Sequence, residues 1–84
     1  MSMATKLAKL IWTARKKEIF LSSVVLTIEE LDVFNQLITG YTYEEIAENK
    51  LWGVKKVASI AKVIKAKYMV VQLEFPDIFE PFPE

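Results

Sequence analysis

The side chains in this sequence with chemistry to offer are lysines and carboxylates. Cys and His are both absent, which removes thiol nucleophiles, disulfides, zinc-thiolate sites and the commonest neutral-pH base. The most suggestive spacing starts near Val54, where Lys55, Ser59 and Lys62 recur at i, i+4 and i+7 and would share one helix face. Lys56 and Lys65 flank that face. Ammonium groups in such a row suit the phosphates of a polyanion, with a serine hydroxyl adding a hydrogen bond. The same residues equally describe the solvated side of an amphipathic helix. The other cluster is Glu44, Glu45 and Glu48. Glu45 is explained as a helix cap and its neighbours as anions on an exposed first turn, so nothing pairs a nucleophile with a base. The expectation is a protein that is not an enzyme, with no cofactor and no metal.

The elements that must position these residues follow from composition and periodicity. Eighty-four residues fit one small domain. An apolar fraction of 52%, with only two Gly and three Pro, points to a compact, mostly helical chain. From Met3, the residues Leu7, Leu10, Ile11 and Ala14 recur at helical spacing and predict an N-terminal amphipathic helix with a basic back. Its apolar stripe suits covering the core first and dimerisation second. Ile19 to Leu26 reads as a continuation of that helix or as an extended segment. Thr27-Ile-Glu-Glu30 and Thr42-Tyr-Glu-Glu45 are both capping-box patterns and predict two helix starts. Leu31, Phe34, Leu37 and Ile38 form the expected buried face of the first, with Gly40 as its stop, and Ile46 and Ala47 point inward from the second. Residues 49–53 form a tight turn, and a third helix runs from Val54 to about Tyr68, with Val57, Ile60, Ala61, Ile64 and Tyr68 inward. Residues 69–75 read as strand or helix. Residues 76–84 form an acidic, aromatic tail broken by Pro76, Pro81 and Pro83.

Net charge is zero, but the charges separate along the chain into blocks. Residues 1–17 hold five basic groups and no acid, and 18–48 hold seven acids and no base. Residues 49–73 hold six lysines and no acid, and 74–84 hold four acids and no base. Blocks of this kind suit a polyanion, a second copy, or compensation within the molecule. The apolar runs are too short to span a bilayer, and the lysine-broken start makes a poor signal peptide. A cytoplasmic protein without membrane association is expected.

A Gly-containing bend between two helices, then a tight turn into a lysine-bearing third, outlines a helix-turn-helix unit. The stretch from Leu26 to about Tyr68 resembles the DNA-binding domain of LuxR/GerE-type response regulators. The resemblance rests on Leu26-Thr27, Glu30, Val33, Leu37, Gly40, Thr42, Glu45-Ile46-Ala47 and Val57 in an ungapped register. It implies that the helix from Val54 is a recognition helix for the major groove, and that DNA is bound as a dimer. The chain departs from the family at the turn, where Lys50-Leu51-Trp52 replaces the usual Leu-Gly and an apolar residue, and Gly is delayed to 53. The recognition segment also lacks the Arg, Asn and Gln that read base edges bidentately, so phosphate contacts should dominate.

Together these readings predict an all-α helix-turn-helix domain spanning 1–84. It would comprise an N-terminal helix and connector (1–25), a tri-helical core (26–68) and a C-terminal segment with an acidic tail (69–84). The expected function is regulation of transcription by binding double-stranded DNA as a homodimer. Lys55, Lys56, Ser59, Lys62, Thr42 and Lys65 are the expected DNA-binding residues. The rival reading is a protein-binding module on the same scaffold, an inhibitor or adaptor of the transcription machinery. It would account for the apolar Val54, Ala58 and Val63 and for the aromatic acidic tail.

Overall fold

Three threonines decide where helices begin. In the computed structural model, which describes residues 5–83, the side chain of Thr13 accepts a hydrogen bond from Lys16 N (3.1 Å), Thr27 from Glu30 N (3.1 Å) and Thr42 from Glu45 N (3.2 Å). Glu30 and Glu45 return the bond, accepting from Thr27 N (3.0 Å) and Thr42 N (2.9 Å). Each box satisfies helix N–H groups that would otherwise lack partners. The resulting helices are α1 (Ala14–Ser23), α2 (Ile28–Thr39), α3 (Tyr43–Lys50) and α4 (Val54–Glu74), preceded by a 3-10 turn at Leu7–Lys9. No strand occurs among the described residues, and no helix among them is long and apolar enough to cross a membrane.

The core is one cluster built around an inward face of α4. Val57, Ala61, Ile64, Tyr68 and Val71 recur at i+3 and i+4 and are all buried. Val33, Phe34 and Leu37 of α2, Ile46 and Ala47 of α3, and Phe20 of α1 close over them. Leu31, expected inside, is exposed, and Val33 takes the inward position instead. The α2 face is thus rotated toward α4 relative to the stripe of Leu31, Phe34, Leu37 and Ile38.

Two segments differ from the sequence reading. The expected N-terminal helix is interrupted: Leu10 is extended (ψ 153°) and α1 starts afresh after Thr13. Met3, the expected start, lies outside the described residues. The interruption lets Trp12 enter the core, where its ring meets Phe20, Phe34 and Tyr68 edge-on at centroid distances of 5.6, 5.1 and 5.8 Å. Its indole N–H donates to the Leu7 carbonyl (3.0 Å). Packing of the half-buried indole on the core, with its polar tip satisfied, outweighs helical continuity. Leu7 and Leu10 cover the core as expected, whereas Ile11 is exposed.

At the other end α4 runs on through 69–74, because Tyr68 and Val71 continue its buried face. It stops at Phe75, the residue before Pro76, where the proline ring disfavours helical backbone. The tail then folds back. Phe79 is fully buried against Tyr68 (5.5 Å) and Phe20 (6.4 Å), and Phe82 lies edge-on to Tyr68 (5.8 Å).

Candidate nucleic-acid interface

The link from α3 to α4 is three residues long. Leu51, the first, has left-handed backbone (φ 58°, ψ 37°), and its N–H points back to the Ala47 and Glu48 carbonyls. That conformation normally calls for glycine, because Cβ meets the following carbonyl. Gly53, by contrast, has ordinary φ (−73°) and stands at the N-terminus of α4. Trp52 turns inward between them and packs on the core.

Among the expected binding residues, Lys55, Ser59 and Lys62 come together on the face of α4 opposite Val57, Ala61 and Ile64, and all three are exposed. The others are placed differently. Lys56 turns toward α2, with Nζ 3.2 Å from the Glu29 carboxylate and 4.1 Å from the Trp52 ring centroid. Lys65 turns to the opposite flank, over the Phe82 ring (5.0 Å). Thr42 is buried, and its hydroxyl is engaged in capping α3.

The acidic block of α2 neutralises half of the basic block that follows it. Glu29, Glu30 and Asp32 pair with Lys56, Lys67 and Lys50 respectively. The hydrogen bond from Lys50 is the main cause of a lowered Asp32 pKa, and the Thr27 N–H does the same for Glu30. Lys55, Lys62 and Lys65 have no carboxylate partner among the described residues. The helix starts reinforce this asymmetry. α2 and α3 each carry two acids in the first turn, while α4 carries none and has Lys55 and Lys56 there. The positive end of the α4 dipole is therefore left uncompensated, in an environment that favours an anion.

Past Lys62 the outward face of α4 changes character. Val63, Ala66, Val70 and Leu73 succeed one another at spacings of three, four and three, with Met69 beside them, and all are exposed. Such spacing keeps side chains along one seam of a helix.

Four further residues join the lysine surface from the N-terminal segment, whose sequence suggested core cover first and dimerisation second. Thr5, Lys6, Leu7 and Lys9 line a cleft of about 530 Å³ together with Lys62 and Lys65 of α4. A run of N-terminal lysines without a nearby acid was the one signal available in the sequence. Comparison with protein-family models, with curated proteins and with solved structures finds no match.

Proposed function

We propose that this chain is a double-stranded DNA-binding regulator of transcription that uses α3, the three-residue turn and α4 as a helix-turn-helix, with the first half of α4 in the major groove. The observation that carries this reading is the outward face of Lys55, Ser59 and Lys62. It sits at a helix start with no acid in its first turn, while Lys56 and Lys67 on the same helix, and Lys50 at the end of α3, are neutralised by α2. An α-helix about 10–12 Å across with its side chains fits a groove of about 12 Å. Leu51 supports the resemblance to LuxR/GerE domains, because it takes left-handed backbone at the position where that family has glycine. With lysine and serine as the available groups, phosphate contacts position the helix, and DNA shape contributes more to selectivity than base edges do. The seam of Val63, Ala66, Val70 and Leu73 is the proposed homodimer surface.

Titration of a labelled duplex at two salt concentrations tests the proposal. Affinity falls steeply with salt, by a log–log slope of about −0.9 for each phosphate neutralised. Absence of binding to a mixed duplex pool at low salt overturns it. The exposed apolar seam would then favour the second reading, a protein-binding inhibitor or adaptor of the transcription machinery.

A further inference from the structure

The lysines of this molecule sort into two groups. Lys16, Lys50, Lys56 and Lys67 each hold a carboxylate. Of the lysines that hold none among the described residues, four (Lys6, Lys9, Lys62 and Lys65) converge on the single cleft between the N-terminal 3-10 turn and α4. Among the described residues, no acidic side chain lines it. Apart from Thr5, its remaining walls are apolar or aromatic: Leu7, Tyr43, Ala58, Ala61 and Phe82. The space exists because α4 presents alanine at both 58 and 61, where larger side chains would close it. Four like charges around one opening repel one another, and an apolar floor beneath them gains nothing from water. Both costs are relieved by the same kind of occupant.

We infer that this cleft is a binding site for a small amphipathic anion, an apolar body carrying a carboxylate or phosphate, held with its body on Leu7, Tyr43 and Phe82 and its head among the four lysines. The volume lies within the range of small-molecule sites, roughly 300–1,000 Å³. Charge complementarity selects an anion over a neutral lipid, and a concave, half-open cleft of this volume suits a free molecule rather than a flat membrane surface. The site stands independently of the DNA reading, since of Lys55, Ser59 and Lys62 only Lys62 lines the cleft.

Calorimetric titration of the full chain with decanoate and decyl phosphate, below micelle formation, tests this. Both bind, and decanol binds at least about tenfold more weakly, a difference of about 1.4 kcal/mol. Ala58→Leu, which fills the cleft, and the double reversal Lys6→Glu/Lys9→Glu each weaken decanoate by about tenfold or more. Ile28→Lys, exposed on α2 and outside both the cleft and the proposed dimer seam, leaves it unchanged. Independently of any variant, NMR titration of the wild-type chain shifts the signals of Leu7, Tyr43 and Phe82 rather than those of Val70 and Leu73. Equal binding of decanol, indifference to Ala58→Leu in a folded protein, or shifts confined to Val70 and Leu73 overturn the inference. So does binding to phosphatidylglycerol vesicles without binding of free decanoate. Because duplex DNA is absent from these titrations, failure of DNA binding leaves their outcome intact.

Discussion

Lys16 and Glu80 meet across 64 positions of sequence and lock the tail to the first helix. The Lys16 side chain is only 4% exposed. Its ammonium also donates to the Ile11 carbonyl (2.6 Å) and lies 4.8, 5.4 and 5.6 Å from the ring centroids of Trp12, Tyr68 and Phe79. Tyr68 completes the arrangement by donating its hydroxyl to the Glu80 main-chain carbonyl (2.6 Å). Removing Glu80 leaves a buried cation without its counter-ion, whereas replacing Lys16 by an apolar side chain of similar length removes the charge itself. Glu80→Ala should therefore destabilise the fold by about 3 kcal/mol, and Lys16→Met should leave stability within about 1 kcal/mol of wild type or raise it. The double variant recovers most of the loss. Urea melts measure all three, and a Glu80→Ala cost typical of an exposed pair, below about 1 kcal/mol, contradicts the buried arrangement.

The same residues set an alkaline stability profile. Burial lowers the Lys16 ammonium from 10.5 to about 8. Between those values the unfolded chain keeps a proton that the folded chain has released, so stability rises with pH across that window. Burial moves the Tyr68 phenol the other way, from 10.0 up to about 12. There the folded chain keeps the proton that the unfolded chain loses, and stability falls between those values. Melting temperature should climb from pH 8, peak near pH 10 and then decline. Lys16→Met should flatten the rise and retain the decline. A wild-type profile that falls steadily from pH 8 would show that desolvation does not govern Lys16.

Leu51 offers a gain in stability without loss of packing. It is 93% exposed and holds φ 58°, so its side chain contributes little while its Cβ strains the backbone. Leu51→Gly should stabilise the protein by about 1 kcal/mol despite the greater freedom of glycine in the unfolded state. Denaturant midpoints test it. A destabilised Leu51→Gly would show that the freedom of glycine in the unfolded chain outweighs the strain relieved at position 51.

For the proposed interface, Lys55→Ala and Lys62→Ala should each weaken binding by similar factors on unrelated duplexes and reduce the salt slope by about 1. Glu29→Ala, which frees Lys56 from its carboxylate, should not weaken binding. A loss with Glu29→Ala equal to that of the two lysine variants would place the DNA face elsewhere.

How far the sequence reaches is clearest where the determining interactions are local. Thr27 and Thr42 with their glutamates three residues on announce both helix starts, because the capping bonds close within one turn. The inward run from Val57 to Tyr68 is equally readable, since a helix repeats its face every three to four residues. Lys55, Ser59 and Lys62 share a face for the same reason. Their all-helical surroundings follow from composition and period together.

Tertiary structure decided what depends on partners distant in sequence. Trp12 breaks the N-terminal helix because Phe34 and Tyr68 offer it a pocket, and no local propensity encodes that gain. The acidic aromatic tail becomes core cover because Phe79 and Glu80 find Tyr68 and Lys16. The division of the lysines into neutralised and unneutralised groups depends on which of them α2 reaches, and the cleft depends on a 3-10 turn brought beside α4. The chain's own charge blocks state that opposite charges are available. Only packing, in which apolar burial fixes the helices before any ion pair can choose its partner, determines which of them meet.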